Sequence, residues 1–572
     1  MRITRLRLVR FRGFEDHTLY PSGNVLLAGE PRAGRSTILD ALRKVLDSAS
    51  TRARPSRWDV SLPLLDVDAD EQYPLTYVEV SLIGIEDAIE QVLDDRLELL
   101  DPVTGDPAIG VGDAVLGVRL RYCLQYSPAD DTVDHWVEYP KSALRVPKAH
   151  REVLHAIIID RSAPLQLRVE GAFRSLAASQ DASRISGAIH AFGESVRQAT
   201  TELSKSDAIV DALTAMTVHG ASLALNVDEN QLLDGVGFAA EDGSINGLLR
   251  AIQPTLHVDS AGPLPLSSHG STASSILSIT EALAAGQFDN RIVVVDDFGD
   301  SLDSASADFL ARILRRPDNQ VWLSTRRAEA AAAFDAEEIV RVTRGPNGPT
   351  THQLGATPDR TERRRRRYLS QILAPALSAR AVVFVEGPHD FEAYAALDAK
   401  RLAEDWKAPL SARGIQLLPA SATGADGGKS RFVDLATIAK SLGFAVGIVV
   451  DNDKPGEDDD LVAELLAISD AVVLLPERTA VERALVHGLP LDSVRKILRK
   501  LSDEFDLNVD ADTVDDSQLE KALIRQLKQK GGLHRAMVAL LPESTYPPIA
   551  VGVLKALNRP MPASSLIEIA EP

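Results

Sequence analysis

Two short apolar runs in the second half of the chain each end in carboxylates. Val382-Val383-Phe384-Val385 runs into Glu386-Gly387, and Gly447-Ile448-Val449-Val450 runs into Asp451-Asn452-Asp453. Residues i and i+2 of a strand point the same way, so Asp451 and Asp453 share one side. In an open parallel sheet the C-terminal strand ends face the functional crevice, which brings Glu386 and the aspartate pair together. Asp390, one turn into the following helix, points back at the same region. Glu482, at the start of a helix after the next strand, is a further candidate ligand. Carboxylates crowded into one crevice repel one another, and their pKa values rise unless a cation neutralises them. Oxygen-only ligands without thiols favour Mg2+ or Mn2+. Two such ions about 4 Å apart clamp the attacking and leaving oxygens of a phosphodiester. Any one of these acids alone reads as a helix cap; the ordered set reads as a metal site. The acidic stretch Glu457–Asp460 reads as a solvated charged turn.

A second constellation lies in the first half. Asn24-Val25-Leu26-Leu27-Ala28 is a short apolar strand running into Gly29-Glu30-Pro31-Arg32-Ala33-Gly34-Arg35-Ser36-Thr37 and then into a helical pattern. Gly29 to Ser36 fits G-x-x-x-x-G-K-[ST] with Arg35 in the lysine position. Glycines there let backbone N–H groups face phosphate oxygens at a helix start, and Ser36 would place its hydroxyl on Mg2+. A guanidinium is bulkier and planar where lysine offers a compact point charge. The strand Ile292–Val295 ends in Asp296-Asp297, with Asp296 placed for the metal and Asp297 for orienting water. Upstream, Ser268-His269-Gly270-Ser271-Thr272 opens a helix that could offer hydroxyls and amides to a γ-phosphate across a dimer. Ser301-Leu302-Asp303 and Thr325-Arg326 follow as further loops of an ATP site. ATP with Mg2+ is the expected cofactor of this half.

The elements that carry these residues divide the chain. Of 572 residues, 62 are Lys or Arg and 82 are Asp or Glu, a formal charge of −20. Such a length suggests about three to five domains. Apolar residues are 45% and charged residues 25%, ordinary for a globular chain with a large core. A single cysteine, Cys123, excludes a disulfide framework and a multi-cysteine zinc site. No apolar run approaches the ~20 residues of a membrane helix, and the N-terminus has no signal-peptide pattern. A reduced, cytoplasmic protein without a membrane partner is expected. The acidic balance argues against indiscriminate duplex binding but leaves room for a local basic groove.

Residues 75–160 are β-rich, and roughly 165–260 read as a helical insertion. A break at Gly345-Pro346-Asn347-Gly348 through Pro358 leads to the arginine run Arg363–Arg367, a phosphate grip or a solvated hinge. Beyond it, strands alternating with helices predict a parallel sheet. The expected divisions are 1–164, 165–260, 261–355, a basic linker 356–378, an α/β unit 379–490 and a helical extension 491–572.

The order phosphate loop, long insertion, helix-opening Ser268–Thr272 and acidic strand resembles the ATPases of the ABC/SMC class, as does Phe11-Arg12-Gly13-Phe14. Arg35 for lysine, Asp297 for glutamate and Arg326 for the usual switch histidine depart from that class, so binding of nucleotide is better supported than hydrolysis. The set Glu386-Gly387, Asp390 and Asp451-x-Asp453 resembles the Toprim domain. An ABC-like ATPase followed by Toprim in one chain is similar to the OLD (overcoming lysogenization defect) family, which includes the Gabija-type antiphage nucleases. Gly424-Ala425-Asp426-Gly427-Gly428-Lys429-Ser430 lies where that family has a glycine-rich segment, and Glu482 where it has another metal-binding acid. Lys528-Gln529-Lys530-Gly531-Gly532 resembles its segment with a catalytic lysine, which would stabilise phosphorane charge, Lys530 being preferred and Lys528 the alternative.

The resemblance implies a Toprim endonuclease regulated by nucleotide. It would act on double-stranded DNA in antiphage defence and dimerise through its insertion, with a helicase-like protein as a further partner. Glu386, Asp390, Asp451, Asp453 and Glu482 would hold metal, Glu386 doubling as general base. Gly29, Gly34, Arg35, Ser36, Thr37, Asp296, Asp297, Ser268 and Gly270 would hold nucleotide. Its rivals are a nucleotide-sensing DNA clamp acting through partners, and a repair factor that processes DNA ends.

Overall fold

A computed structural model describes residues 1–61, 73–108, 112–154, 156–159, 164–167, 172–218, 228, 230, 233, 245–257, 260, 262–285, 291–421, 428–559 and 564–572. Part of the expected helical insertion and Gly424–Gly427 of the glycine-rich segment lie outside them. Among the described residues no helix is long and apolar enough to cross a membrane.

The alternating strands Arg2–Phe11 and Phe14–Leu19 pair antiparallel, and Arg2–Phe11 continues into Thr76–Ile83, Val115–Ser127 and Thr132–Tyr139. This sheet keeps one apolar face on the core, as antiparallel sheets do. Behind it lies a mostly parallel sheet whose central strands are apolar runs. Its order is Gly348–Gln353, Ile339–Gly345, Val25–Gly29, Gln320–Thr325, Ile292–Phe298 and Ile157–Ile159. The phosphate-loop strand Val25–Gly29 and the acidic strand Ile292–Phe298 are therefore separated by Gln320–Thr325. Helices Ala172–Ser204 and Asp207–Val218 occupy the expected insertion.

The second half builds a sheet in which every pairing is parallel, ordered Ile415–Pro419, Ala381–Val385, Ala445–Val450, Ala471–Leu474 and Ser565–Glu568. Strand Ser565–Glu568 corrects the expected all-helical extension. After helices Leu491–Phe505, Asp516–Gln529, Leu533–Leu540 and Pro548–Leu557, the chain returns to pair with Ala471–Leu474 at the sheet edge.

The expected linker also takes a different form. Residues Arg360–Leu373 are a helix with Leu369 and Leu373 buried. Arg365 pairs with Asp434 and Glu362, Arg366 with Glu362 and Glu337, and Arg367 with Asp335. Charge on one face and leucines on the other make it a packed amphipathic helix. One apolar cluster runs from Val295, Leu310 and Leu323 through Leu369 and Leu373 to Phe384 and Ile448, so the two halves share a core.

Candidate functional site

Parallel register sets the second-half site. Phe384 lies opposite Ile448 on adjacent strands, so Glu386 and Asp451 emerge at neighbouring points of the same sheet end. Helix Pro388–Asp405 starts directly after Glu386-Gly387 and places Asp390 in its first turn, where Asp390 Oδ2 accepts from the Gly387 N–H at 3.0 Å. Asp451 Oδ2 accepts from the Val481 N–H at 3.3 Å, at the start of helix Val481–Val486, whose next residue is Glu482. Backbone hydrogen bonds between Asn452 and Thr479 in both directions fix that approach. Gly428 crosses the end of the strand so closely that a Cβ there would sit 2.1 Å from the Glu386 carbonyl oxygen.

These turns enclose a cleft of about 510 Å3 lined by Glu386, Asp390, Asp451, Asp453, Glu482 and Lys528, among others. The five acids expected to hold metal are thus brought together. Asp390, Asp451 and Glu482 are buried, Glu386 is half-buried and Asp453 is exposed. Burial pushes the Glu386 carboxyl above its ordinary range, aided by nearby Asp453, Asp458 and Glu482. Burial raises Asp390 to about 7, with Glu386 adding to the shift. Asp451 is pushed well up by burial and then by Asp390 and Glu386. Glu482 is lowered: burial works against it, but the neighbouring His534 and Lys528 prevail.

Lys429 was not among the sequence candidates. Its Nζ donates to the Asp451 carbonyl at 3.1 Å and to Asp458 Oδ2 at 2.7 Å, and lies 3.6 Å from Asp453 Oδ1. The signal was Gly428-Lys429, since the glycine lets the lysine enter the cleft. Glu457 and Asp458, read from sequence as a solvated turn, line the cleft too.

The two lysines part ways, and the structure places Lys528, the alternative, in the cleft and Lys530 outside it. Helix Asp516–Gln529 stops before Lys530, whose Nζ donates to the Phe505 carbonyl at 2.8 Å, at the end of helix Leu491–Phe505. Lys528, on the last helical turn, lies 3.8 Å from Glu482 and lines the cleft. If Lys528 balances charge developing on DNA, Lys528→Ala should lower kcat for cleavage about 100-fold. Lys530→Ala should change it less than about threefold, because it removes only a contact at a helix C-terminus, worth ~0.3–1 kcal/mol. Steady-state cleavage rates decide, and the reverse ranking would return the role to Lys530.

Asp390 carries a pH signature. Its folded-state pKa of about 7 lies above an ordinary carboxyl value of 3.8. The ionised form is therefore penalised in the fold: the penalty is absent below the unfolded pKa and complete above the folded one. In EDTA, Asp390→Asn should match wild type near pH 4 and be more stable at pH 8, by at most about 4 kcal/mol. Asparagine keeps an oxygen for the Gly387 N–H. Thermal melts at both pH values check this; an equal difference at the two pH values would count against the buried acid.

In the first half, Gly29 has φ 132° and a Cβ there would meet the Val342 carbonyl oxygen at 2.0 Å, so only glycine fits beside the neighbouring strand. Gly34, at φ 113°, begins helix Arg35–Leu46, leaving Ser36 exposed and Thr37 half-buried on its first turn. Ser36 Oγ donates to Asp296 Oδ1 at 3.1 Å, and the same oxygen accepts from Ser324 Oγ at 2.6 Å and the Asp297 N–H at 3.0 Å. Phosphate loop, acidic strand and intervening strand thus meet at one carboxylate. Asp297 sits in the left-handed region at φ 49°, 4.0 Å from Arg326.

Arg35 departs from the lysine pattern in position as well as type. Its side chain is buried and NH1 donates to the Thr325 carbonyl at 3.1 Å. Ser268 and Gly270 are exposed at the start of helix Gly270–Ala285. That helix packs in this same chain, Thr272 Oγ1 donating to the Ser301 carbonyl at 2.7 Å. A cavity of about 410 Å3 opens between this helix and Asp296-Asp297, lined by Ser271, Ser274, Ser278 and Ser301.

Arg341 joins the halves. It is fully buried on strand Ile339–Gly345 beside the phosphate-loop strand, with NH2 3.8 Å from Glu30 of the phosphate loop. The same guanidinium donates to the carbonyls of Leu377, Ala379 and Leu442, which lead into the strands that end at Glu386 and Asp451. It stacks 3.6 Å over the Phe444 ring, and burial lowers its pKa to about 10.

No protein-family profile matches the chain, and no curated protein does. Among solved structures it is similar to an SMC head bound to the C-terminal winged-helix domain of ScpA, at 13% identity over 62% of this chain and 97% of that one, TM-score 0.34. It is also similar to the SMC head domain from Thermotoga maritima, at 12% identity over 62% of this chain and 100% of that one, TM-score 0.29.

Proposed function

We propose that the chain is a metal-dependent DNA endonuclease whose carboxylate cleft hydrolyses phosphodiesters under the control of nucleotide at the N-terminal phosphate loop. The observation that carries this is the convergence of Glu386, Asp390, Asp451, Asp453 and Glu482 in one cleft. Of these, Glu386, Asp390 and Asp451 have their ionised forms penalised without a cation. The lysines that line the cleft, Lys429, Lys454 and Lys528, offset its acids only in part. An all-oxygen donor set at a parallel sheet end suits Mg2+ or Mn2+. Two bound ions would supply Lewis-acid stabilisation of a phosphoryl centre and a more acidic water.

The protein's own groups then divide the work. Asp451, held by the Val481 N–H, and Asp390, held by the Gly387 N–H, are the preorganised ligands. Half-buried Glu386, with its raised basicity, accepts the proton of the attacking water. Lys528, in the cleft beside Glu482, would balance negative charge growing on phosphate. The arrangement supports the Toprim reading and, with a phosphate loop upstream, the OLD-type reading with its role against foreign DNA.

At the phosphate loop, backbone N–H groups, Ser36 and Asp296 suit ATP with Mg2+. Arg35 turned onto the Thr325 carbonyl favours binding over rapid hydrolysis, so nucleotide acts as a regulator. Dimerisation through the insertion, a duplex near exposed Arg363 and Arg364, and a helicase-like partner complete the proposal.

Supercoiled and linear plasmids incubated with Mn2+ test it. Nicked or linearised circles establish an endonuclease, and loss of linear DNA alone indicates end processing. Binding of DNA without cleavage would replace this function with the clamp.

A further inference from the structure

Helix Pro388–Asp405 carries a second chemical pattern beside Asp390. His389 and Glu392, three residues apart, lie on adjacent positions of one helical face. Helix Leu533–Leu540 packs on that helix and brings His534 to the same place. One ligand atom from each of the three residues lies within 4.8 Å of the other two. The imidazoles of His389 and His534 are stacked with centroids 4.7 Å apart and planes 22° from parallel.

The polar atoms here are buried and make no hydrogen bonds, although His534 Nε2 stands 3.8 Å from Glu482 Oε1. Nδ1 of His389, Oε2 of Glu392 and both ring nitrogens of His534 have no hydrogen bond, and His534 is 0% exposed. A buried polar atom left without a hydrogen bond is costly, so four in one contact need an explanation. Burying imidazole and carboxylate together without hydrogen bonds is explained by a shared cation. The donor set, two nitrogens and one oxygen, differs from the all-oxygen cleft next to it.

We propose that His389, Glu392 and His534 form a separate site for a borderline divalent transition ion, of which Zn2+ is the representative. Two imidazoles and a carboxylate are a three-ligand zinc set that leaves a fourth position to water or substrate. Ligand atoms around one such ion lie about 3.3 Å apart, so the three groups would draw together from their present spacing within 4.8 Å. His534 Nε2 lies 3.8 Å from Glu482 Oε1, so that carboxylate is the neighbouring group that would orient the ring when an ion is bound. His389 lines the carboxylate cleft, which provides the way in from solvent. A bound ion would lock the helix carrying Asp390 to the helix after Lys528 and orient Glu482 from behind. None of its three ligands is assigned a role in the nuclease proposal, although the site adjoins that cleft through His389 and Glu482.

Zinc content of the full-length protein tests the site. Wild type is loaded with Zn2+ in excess Mg2+, dialysed and analysed by plasma mass spectrometry. Co2+ loading serves as the second readout, because nitrogen ligation at low coordination gives a visible band that an all-oxygen six-coordinate site lacks. Wild type and Asp451→Asn should each retain about one Zn2+ per chain and show the band. His389→Gln and Glu392→Gln, both at half-buried positions, should each lower retention at least tenfold with unchanged circular dichroism. His534→Gln is kept as a third variant because that ring is fully buried. Retention of zinc and the band by both His389→Gln and Glu392→Gln overturns the proposal, as does wild type that keeps no zinc.

Discussion

Asp451→Asn should abolish metal-dependent DNA cleavage, by at least about 1,000-fold, while raising the melting temperature of the metal-free protein. The two effects share one cause. Asp451 is buried at the end of a central strand, and its ionised form is opposed by burial and by Asp390 and Glu386. A divalent cation makes that arrangement useful; without one it is strained by charge. Asparagine keeps an oxygen to accept from the Val481 N–H and removes the charge, so the fold gains while metal affinity falls. A core residue of merely structural importance would lose stability on substitution. Differential scanning calorimetry in EDTA, paired with cleavage rates in Mn2+, reads both quantities. Loss of stability together with loss of activity would mean that Asp451 serves the fold and not a cation.

Arg341→Met should have the largest effect on the link between the halves. Arg341 is 0% exposed and gives hydrogen bonds to three carbonyls beyond the end of its own sheet while facing Glu30. Methionine fills much of the space and supplies no donor. Three carbonyls lose a donor, and each buried one left unsatisfied costs ~1–3 kcal/mol. Calorimetry should show one transition for wild type and two for Arg341→Met, with the second-half unit melting first. ATP should then change the cleavage rate less than twofold, against a larger response in wild type. Arg341→Lys restores charge but cannot reach three carbonyls in different directions, so it should recover stability in part and coupling hardly at all. An undivided transition with an intact ATP response would show that the halves communicate elsewhere.

How much of this was legible in the sequence depends on how far each feature is from local. Glu386, Asp451 and Asp453 were legible because a buried parallel strand reads as an unbroken apolar run, and an acid at its end marks the crevice. Asp296 was legible for the same reason, and Gly29, Gly34 and Ser36 because their spacing after a short apolar strand is that of a phosphate-binding loop. The choice between Lys528 and Lys530 was not, since it turns on where helix Asp516–Gln529 ends, a boundary that sequence leaves open by one or two residues. One residue decides whether a lysine faces Glu482 or Phe505. Ser565–Glu568 is too short and half-exposed to announce itself; its pairing with Ala471–Leu474 is decided by the sheet it joins. Arg363–Arg367 read as a linker because charge alone was counted, whereas Leu369 and Leu373 on the next turns bury the helix. Arg341 and the pair His389 and His534 depend on contacts between distant segments and leave no local trace.

The most direct test of the central claim is the conversion of supercoiled plasmid to nicked or linear forms by the full-length protein in Mn2+. EDTA and Asp451→Asn serve as controls, with and without ATP. The carboxylate cleft predicts cleavage that needs the metal, disappears in Asp451→Asn and changes in rate with ATP. Equal conversion by wild type and Asp451→Asn, or none by folded wild type in any arm, would contradict it.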